Sequence, residues 1–120
     1  MPQGRPQLRR GRIVWADIPD HNGHAKRRPA VILTPTSQIS DGKPIVVVAV
    51  TTTYADPAPA DHVELPWHNA KHPVTRLNQR SAAVTSWLSK IMPEQIEGFA
   101  GDVPAKQMKR IEEKLDQLPG

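Results

Sequence analysis

Lys26-Arg27-Arg28-Pro29 places an arginine directly before a proline and directly before an apolar run, residues 30–33. Proline biases the residue ahead of it towards extended backbone. Arg28 is therefore held at the mouth of a strand with its direction already set. A guanidinium fixed in this way suits a phosphate, because its planar fork can donate two parallel hydrogen bonds to two oxygens. Thr51-Thr52-Thr53 follows a second apolar run, residues 45–50, and a threonine hydroxyl at a rigid strand end is a short donor to the same kind of oxygen. His24 follows Gly23 in the stretch before Arg28; imidazoles titrate near about 6.5, so it could act as a base or bind phosphate. Val74-Thr75-Arg76-Leu77-Asn78-Gln79 adds another guanidinium and two amides, each amide both donor and acceptor. On residue types alone a plainer reading stays open, with Arg28 a solvated charge, Thr51 a strand filler and His24 a spectator.

The elements that must carry these groups are short. Residues 11–35 read as two strands, around Ile13 and Trp15 and over residues 30–33, joined by a polar basic loop with the turn formers Pro19, Asp20, Asn22 and Gly23. Residues 45–50, IVVVAV, form an unbroken apolar run suited to a strand buried on both faces. Residues 61–65 alternate as a short half-exposed strand, and residues 74–84 alternate well enough for another, with Arg76, Asn78 and Arg80 on one face. Residues 86–91 are ambiguous, while residues 34–44, 54–60 and 67–73 read as loops. Asp102 can cap a helix that admits Pro104 in its first turn and carries Met108, Ile111, Leu115 and Leu118 on one face. Many short strands without a βαβ rhythm indicate a mainly β chain, a small antiparallel barrel or sandwich, closed by a C-terminal helix.

The 120 residues are the size of one domain, with residues 1–10 expected as a disordered basic arm and residues 11–120 as the folded unit. There is no cysteine, which excludes thiol chemistry and cysteine-based zinc sites and gives no sign of an oxidising compartment. No apolar run approaches the roughly 20 residues that span a bilayer, and the N-terminus lacks the apolar segment of a secretory signal, so a soluble cytoplasmic protein is expected. The net charge of +4 is unevenly placed: residues 1–28 hold seven Lys/Arg against two Asp/Glu. Such local basicity is the footprint of a polyanionic partner, although short basic tails also serve only solubility. His62, His68 and His72 invite a metal reading, which Pro73 opposes by breaking the helix that would bring His68 and His72 together. Tyr54, Trp67 and Trp87 could stack unpaired bases or simply pack.

Gly11-x-Ile13-x-Trp15-x-Asp17, Arg28-Pro29-Ala30-Val31-Ile32-Leu33 and residues 46–52 resemble the MazF/PemK family of toxin endoribonucleases from toxin–antitoxin pairs, over nearly the whole chain. The resemblance implies a small SH3-like β-barrel of the CcdB/MazF/PemK toxin type. It implies metal-independent, cofactor-free cleavage of single-stranded RNA by the 2′-hydroxyl, leaving a 2′,3′-cyclic phosphate. It carries catalytic roles onto Arg28 and Thr51, and places His24 and Arg76 at the active site. Lys26, Arg27, Thr52, Asn78 and Gln79 are then expected to bind RNA. Residues 74–79 are similar to the Val-x-Arg-x-Asp-Gln pattern of PemK-type members, but Asn78 stands where that pattern has an aspartate. An amide cannot take a proton at neutral pH. Ala25 likewise stands where many relatives have glutamate. The family also implies a homodimer and an antitoxin whose acidic tail covers the RNA groove, the pair together binding DNA. Two rivals share the fold: a CcdB-type gyrase poison, which would leave Arg28 and Thr51 without a purpose, and a non-catalytic RNA-binding module.

Overall fold

The computed structural model describes residues 8–20 and 22–117. Its strands are β1 (Arg12–Pro19), β2 (Ala25–Ile32), β3 (Ile45–Thr51), β4 (His62–Leu65), β5 (Ser81–Ile91) and β6 (Gly98–Asp102), followed by one helix, α1 (Ala105–Asp116). They form one antiparallel sheet in the order β4-β5-β3-β2-β1-β6. The β-branched run of β3 takes a central place, with only Val46 and Thr51 short of full burial, as an apolar segment without alternation requires.

The sheet has a core on each face. One cluster joins Ile13, Val31, Val48 and Val50 to Val63 of β4, to Val103 just after β6 and to Ile111 of α1. Residues at or beside both edges of the sheet meet in that single cluster, so the sheet must curl around it into the expected barrel-like form. The other cluster gathers Val14, Ala16, Ile18, Ala30, Ile32, Val47 and Ala49. Ile111 is fully buried, with Met108 and Leu115 packed beside it, so the apolar stripe of the helix lies on the barrel; Leu118 falls outside the described residues.

Between the two sheet edges the seam is filled by a loop. Thr75 is fully buried; its hydroxyl donates to the Pro66 carbonyl after β4 at 2.7 Å and accepts the Leu77 N–H at 3.2 Å. The carbonyls of Val74 and Thr75 accept the N–H groups of Asp102 and Gly101 from β6, at 3.0 and 2.9 Å. A Cβ at Gly101 would stand 1.8 Å from the Val74 oxygen, so only glycine lets the two backbones approach this closely.

Several expectations are corrected here. Residues 74–80 are not a strand: tertiary hydrogen bonds across the seam outweigh their alternation, Arg76 has φ +62°, and the strand begins at Ser81 and runs through the ambiguous stretch to Ile91. Lys26, Arg27 and Arg28 lie in β2 and not in a loop, because Asp17 and Ala16 of β1 pair with Arg27 and Arg28. Asp102 does not cap α1, whose N-cap is Pro104; its carboxylate instead takes two hydrogen bonds from Arg9, at 3.0 and 2.7 Å. Leu8 is buried in the second cluster, so residues 8–10 are fastened to the domain, and the rest of the expected arm lies outside the described residues.

Tyr54 sits under the guanidinium of Arg80, 3.8 Å from its carbon to the ring centroid, and its hydroxyl donates to Glu64 at 3.0 Å. Burial and then the Glu64 carboxylate push the phenol up to about 12.

Two measurements follow. Gly101→Ala should lower stability by about 1–3 kcal/mol in urea denaturation, through forced separation of β6 from the seam loop; an unchanged midpoint would mean the seam relaxes freely. Tyr54 is the sole tyrosine, so phenolate absorbance reads it alone. A raised folded value means that the neutral phenol stabilises fully below its unfolded pKa of about 10 and loses this as pH rises through about 12. The absorbance midpoint should lie near 12 and fall partway to 10 in Glu64→Gln; a wild-type midpoint near 10 would deny the contact.

Candidate functional site

The β2–β3 ladder pairs Ala30, Val31 and Ile32 with Ala49, Val48 and Val47, and goes no further towards the start of β2. Pro29, the next residue back, has no N–H to add to a ladder. β2 continues towards its start paired with β1 alone, and a cleft opens between β2 and the end of β3. Continuing the register by two residues sets Arg28 opposite Thr51, on the face that carries Ala30 and Ala49.

Arg28 is closely held. Its Nε–H donates to the Ile18 carbonyl at 3.1 Å, a terminal nitrogen lies 4.0 Å from Asp20, and the guanidinium carbon sits 4.7 Å from the centroid of the Trp87 ring. Asp20 is itself fixed by the backbone N–H groups of Asn22 and His24 at 2.9 and 3.0 Å. The His24 N–H is the largest cause holding its carboxyl below the ordinary carboxylate range, opposed by some burial and helped by Asn22 and by the positive charge of Arg28. The Thr51 hydroxyl donates to the Thr53 carbonyl at 3.1 Å and accepts its N–H at 3.2 Å, a tight turn at the strand end.

Two adjoining cavities make up the cleft. One, of about 350 Å³, is lined by Lys26, Arg28, Thr51 and Thr53. The other, of about 410 Å³, is lined by Lys71, Arg76, Asn78 and Phe99. Trp15, Arg27, Pro29, Thr52 and Gln79 face both, which makes the two continuous. The structure therefore brings together Lys26, Arg27, Arg28, Thr51, Thr52, Arg76, Asn78 and Gln79. His24 lines neither cavity; it is exposed in the β1–β2 turn, where its backbone serves Asp20. Among the described residues no carboxylate or imidazole lines the cleft, and the side chains of Arg76, Asn78 and Gln79 make no hydrogen bond or ion pair.

Arg27 has a larger place than its sequence suggests. Its guanidinium carbon lies 4.7 Å from the Trp15 centroid and its Nε 3.4 Å from Glu97, over Gly98, where a Cβ would meet it at 3.4 Å. The alternation of β2 puts it on the opposite face from Arg28, and the missing β3 partner lets both reach the cleft. Lys71 and Phe99 were not singled out by sequence; Lys71 adopts φ +72° in a loop whose conformation no local pattern announces. Among the aromatic candidates, Trp87 stacks on Arg28, Tyr54 under Arg80, and Trp67 remains exposed. His68 and His72 organise their loop, each Nδ1 accepting backbone N–H groups from Ala70 or from Val74 and Thr75, and His62 bonds Asp61 at 2.7 Å. None of the described helices is long and apolar enough to cross a membrane.

Solved structures of other proteins share this architecture. MazF from Deinococcus radiodurans superposes with a TM-score of 0.72 at 18% identity, covering 92% of this chain and 94% of that one. An endoribonuclease in complex with its cognate antitoxin from a mycobacterial species gives 0.69 at 16% identity, over 94% and 98%. Toxin MazF-mt6 of Mycobacterium tuberculosis gives 0.65 at 23% identity, over 88% and 93%. These likenesses establish the fold, and no curated protein sequence matches the chain. The model of the PemK-like, MazF-like toxins of type II toxin–antitoxin systems matches residues 9–118, the whole of this cleft-bearing sheet and its helix, and the chain belongs to that family.

Proposed function

We propose that this toxin is a metal-independent endoribonuclease acting on single-stranded RNA. The observation that carries the reading is that Arg28 and Thr51 line one cleft, with Lys26, Arg27, Lys71 and Arg76 around it. In this mechanism the substrate's 2′-oxygen attacks the adjacent phosphorus, the bond from phosphorus to the 5′-oxygen breaks, and the products carry a 2′,3′-cyclic phosphate and a 5′-hydroxyl. Arg28 donates to the phosphoryl oxygens as charge grows on them, and Thr51 adds a hydroxyl donor from the strand end. Preorganised donors of this kind are commonly worth about 10²- to 10³-fold each. Arginine side chains keep their protons, so neither Arg28 nor Arg76 serves as a base. With no carboxylate or imidazole of the described residues in the cleft, the 2′-proton passes to solvent and the 5′-oxygen is protonated from solvent. Catalysis then rests on charge stabilisation. Arg76, Asn78 and Gln79, which have no side-chain partners of their own among the described residues, bind the flanking nucleotides, with the amides suited to base edges or a 2′-hydroxyl.

The same cationic cleft suits the acidic tail of a cognate antitoxin, which would occupy it in competition with RNA. The functional unit we propose is a homodimer, for which exposed Val74 and Leu88 offer apolar surface.

Purified protein should cut a long unstructured RNA in excess EDTA at defined sites, leaving 5′-hydroxyl ends. Arg28→Ala should lower the rate by about 10²-fold or more and Thr51→Ala by about 10-fold. RNA that binds but stays whole would replace the nuclease by a binding module, and RNA that neither binds nor breaks would bring the gyrase-poison reading forward. The pH profile separates charge stabilisation from general-base catalysis. The rate should climb steadily from pH about 6 to 9 and His24→Ala should keep it within about threefold; a bell-shaped profile, or loss of cleavage in His24→Ala, would put a titrating base back into the mechanism.

A further inference from the structure

We infer that Trp87 is a positioning residue for Arg28, reaching it across β3 because β5 is irregular at that level. The inference rests on the reading of Arg28 as the phosphate ligand. β5 pairs Ala83 with Val50 and Leu88 with Val48, so β5 advances five residues while β3 goes back two. The three surplus residues fall between Ala83 and Leu88. Such bulges bend a strand and re-aim its side chains, and they recur beside active sites. Trp87 is the last residue of this irregular stretch.

β3 lies between β5 and β2, so a β5 side chain can touch Arg28 only by crossing it. On the face shared with Arg28, the β3 residue before Thr51 is Ala49, which leaves room for a ring to pass. The indole packs against the cluster that contains Ala49, donates its Nε1–H to the Pro19 carbonyl at 3.0 Å and presents its face to the Arg28 guanidinium at 4.7 Å. Ile18, which accepts the Arg28 Nε–H, and Pro19, which accepts the Trp87 Nε1–H, are adjacent in β1. Both planar groups are thus referred to one short piece of backbone. The guanidinium plane is set by the indole face and its in-plane rotation by Ile18. Its terminal nitrogens make no hydrogen bond among the described residues, one of them lying 4.0 Å from Asp20, and the side chain lines the cleft. A flexible arginine must lose rotamer freedom to meet the charge that grows on the phosphoryl oxygens in the transition state; one already stacked and bonded has lost most of it.

The test compares Trp87→Ala, Trp87→Leu, which keeps bulk without an aromatic face, and Trp87→Phe, which keeps the face without the indole donor. Steady-state cleavage of an unstructured RNA should show kcat lowered about 10-fold in the alanine and leucine variants with KM nearly unchanged, and kcat within about threefold of wild type in the phenylalanine variant. Equal activity of the leucine and phenylalanine variants, or a wild-type kcat in the alanine variant, would overturn the inference, the first by reducing the ring to a space filler. The Nε–H cross-peak of Arg28, assigned by its loss in Arg28→Lys, gives a second readout that needs no catalysis. It should be shifted by the ring current in wild type and in Trp87→Phe, and displaced in both aliphatic variants. If wild type cuts no RNA, the nuclease reading fails, and the cross-peak alone decides whether Trp87 holds Arg28: displacement in the aliphatic variants upholds it and an unmoved peak refutes it.

Discussion

The cleft depends on the point at which one ladder stops. β2 is an interior strand of the sheet, and interior strands normally carry hydrogen bonds along both sides. Pro29 has no donor to contribute, and the bonds to β3 end at the next residue, Ala30. Beyond that point three consecutive cations, Lys26, Arg27 and Arg28, lie on a strand held from one side only. Had the ladder continued, adjacent strands about 4.8 Å apart would have closed the gap, and Arg28 would have met Thr51 as an ordinary cross-strand pair. The proline that sets the backbone of Arg28 thus also marks where the space in front of it opens.

The second wall comes from the way the sheet is closed. β4 and β6 are edge strands that do not pair with each other, and the chain between β4 and β5 is drawn into the gap. Thr75 is the anchor, since its hydroxyl, N–H and carbonyl are all used and its side chain is buried. Residues on either side of such a point have little freedom. Leu77 is driven into the core while Arg76, Asn78 and Gln79 are turned out into the cleft. Packing at the seam, and not any property of those three side chains, presents them to a ligand.

Cations gathered around a cleft repel one another, yet pairing each with a carboxylate would cancel the potential that attracts a polyanion. Arg27 and Arg28 are each laid on an indole, Trp15 and Trp87, besides having one carboxylate nearby, with Arg12 over Phe99. A ring face attracts a guanidinium by roughly 0.5–2 kcal/mol without neutralising it and without occupying its donors. The charge therefore stays available to phosphate while the side chain is already ordered. The carboxylates near these arginines, Asp20 at 4.0 Å and Glu97 at 3.4 Å, stand at ion-pair distance but beyond ordinary hydrogen-bond length, so they offset part of the charge and leave the guanidinium donors open.

Residue order along the chain was enough to show a mainly β fold with a helix at its end, because β-branched runs such as residues 45–50 and the spacing of Met108, Ile111 and Leu115 are local signals. It was also enough to bring Arg28 and Thr51 forward together, since each abuts an apolar run and the surrounding motif resembles a known family. What it could not show was anything set by contacts between distant segments. Residues 74–80 alternate like a strand, yet two edges of the sheet claim their backbone groups. Asp102 looks like a helix cap, yet Arg9, 93 positions away, takes its carboxylate. The partnership of Trp87 with Arg28 arises from a pairing irregularity in β5 that no residue type announces. Local sequence sets which groups are available and which way each strand faces. Only the folded sheet decides which of them share a cleft, because that depends on where ladders stop, what fills the gap between the edges and which backbone groups still need partners.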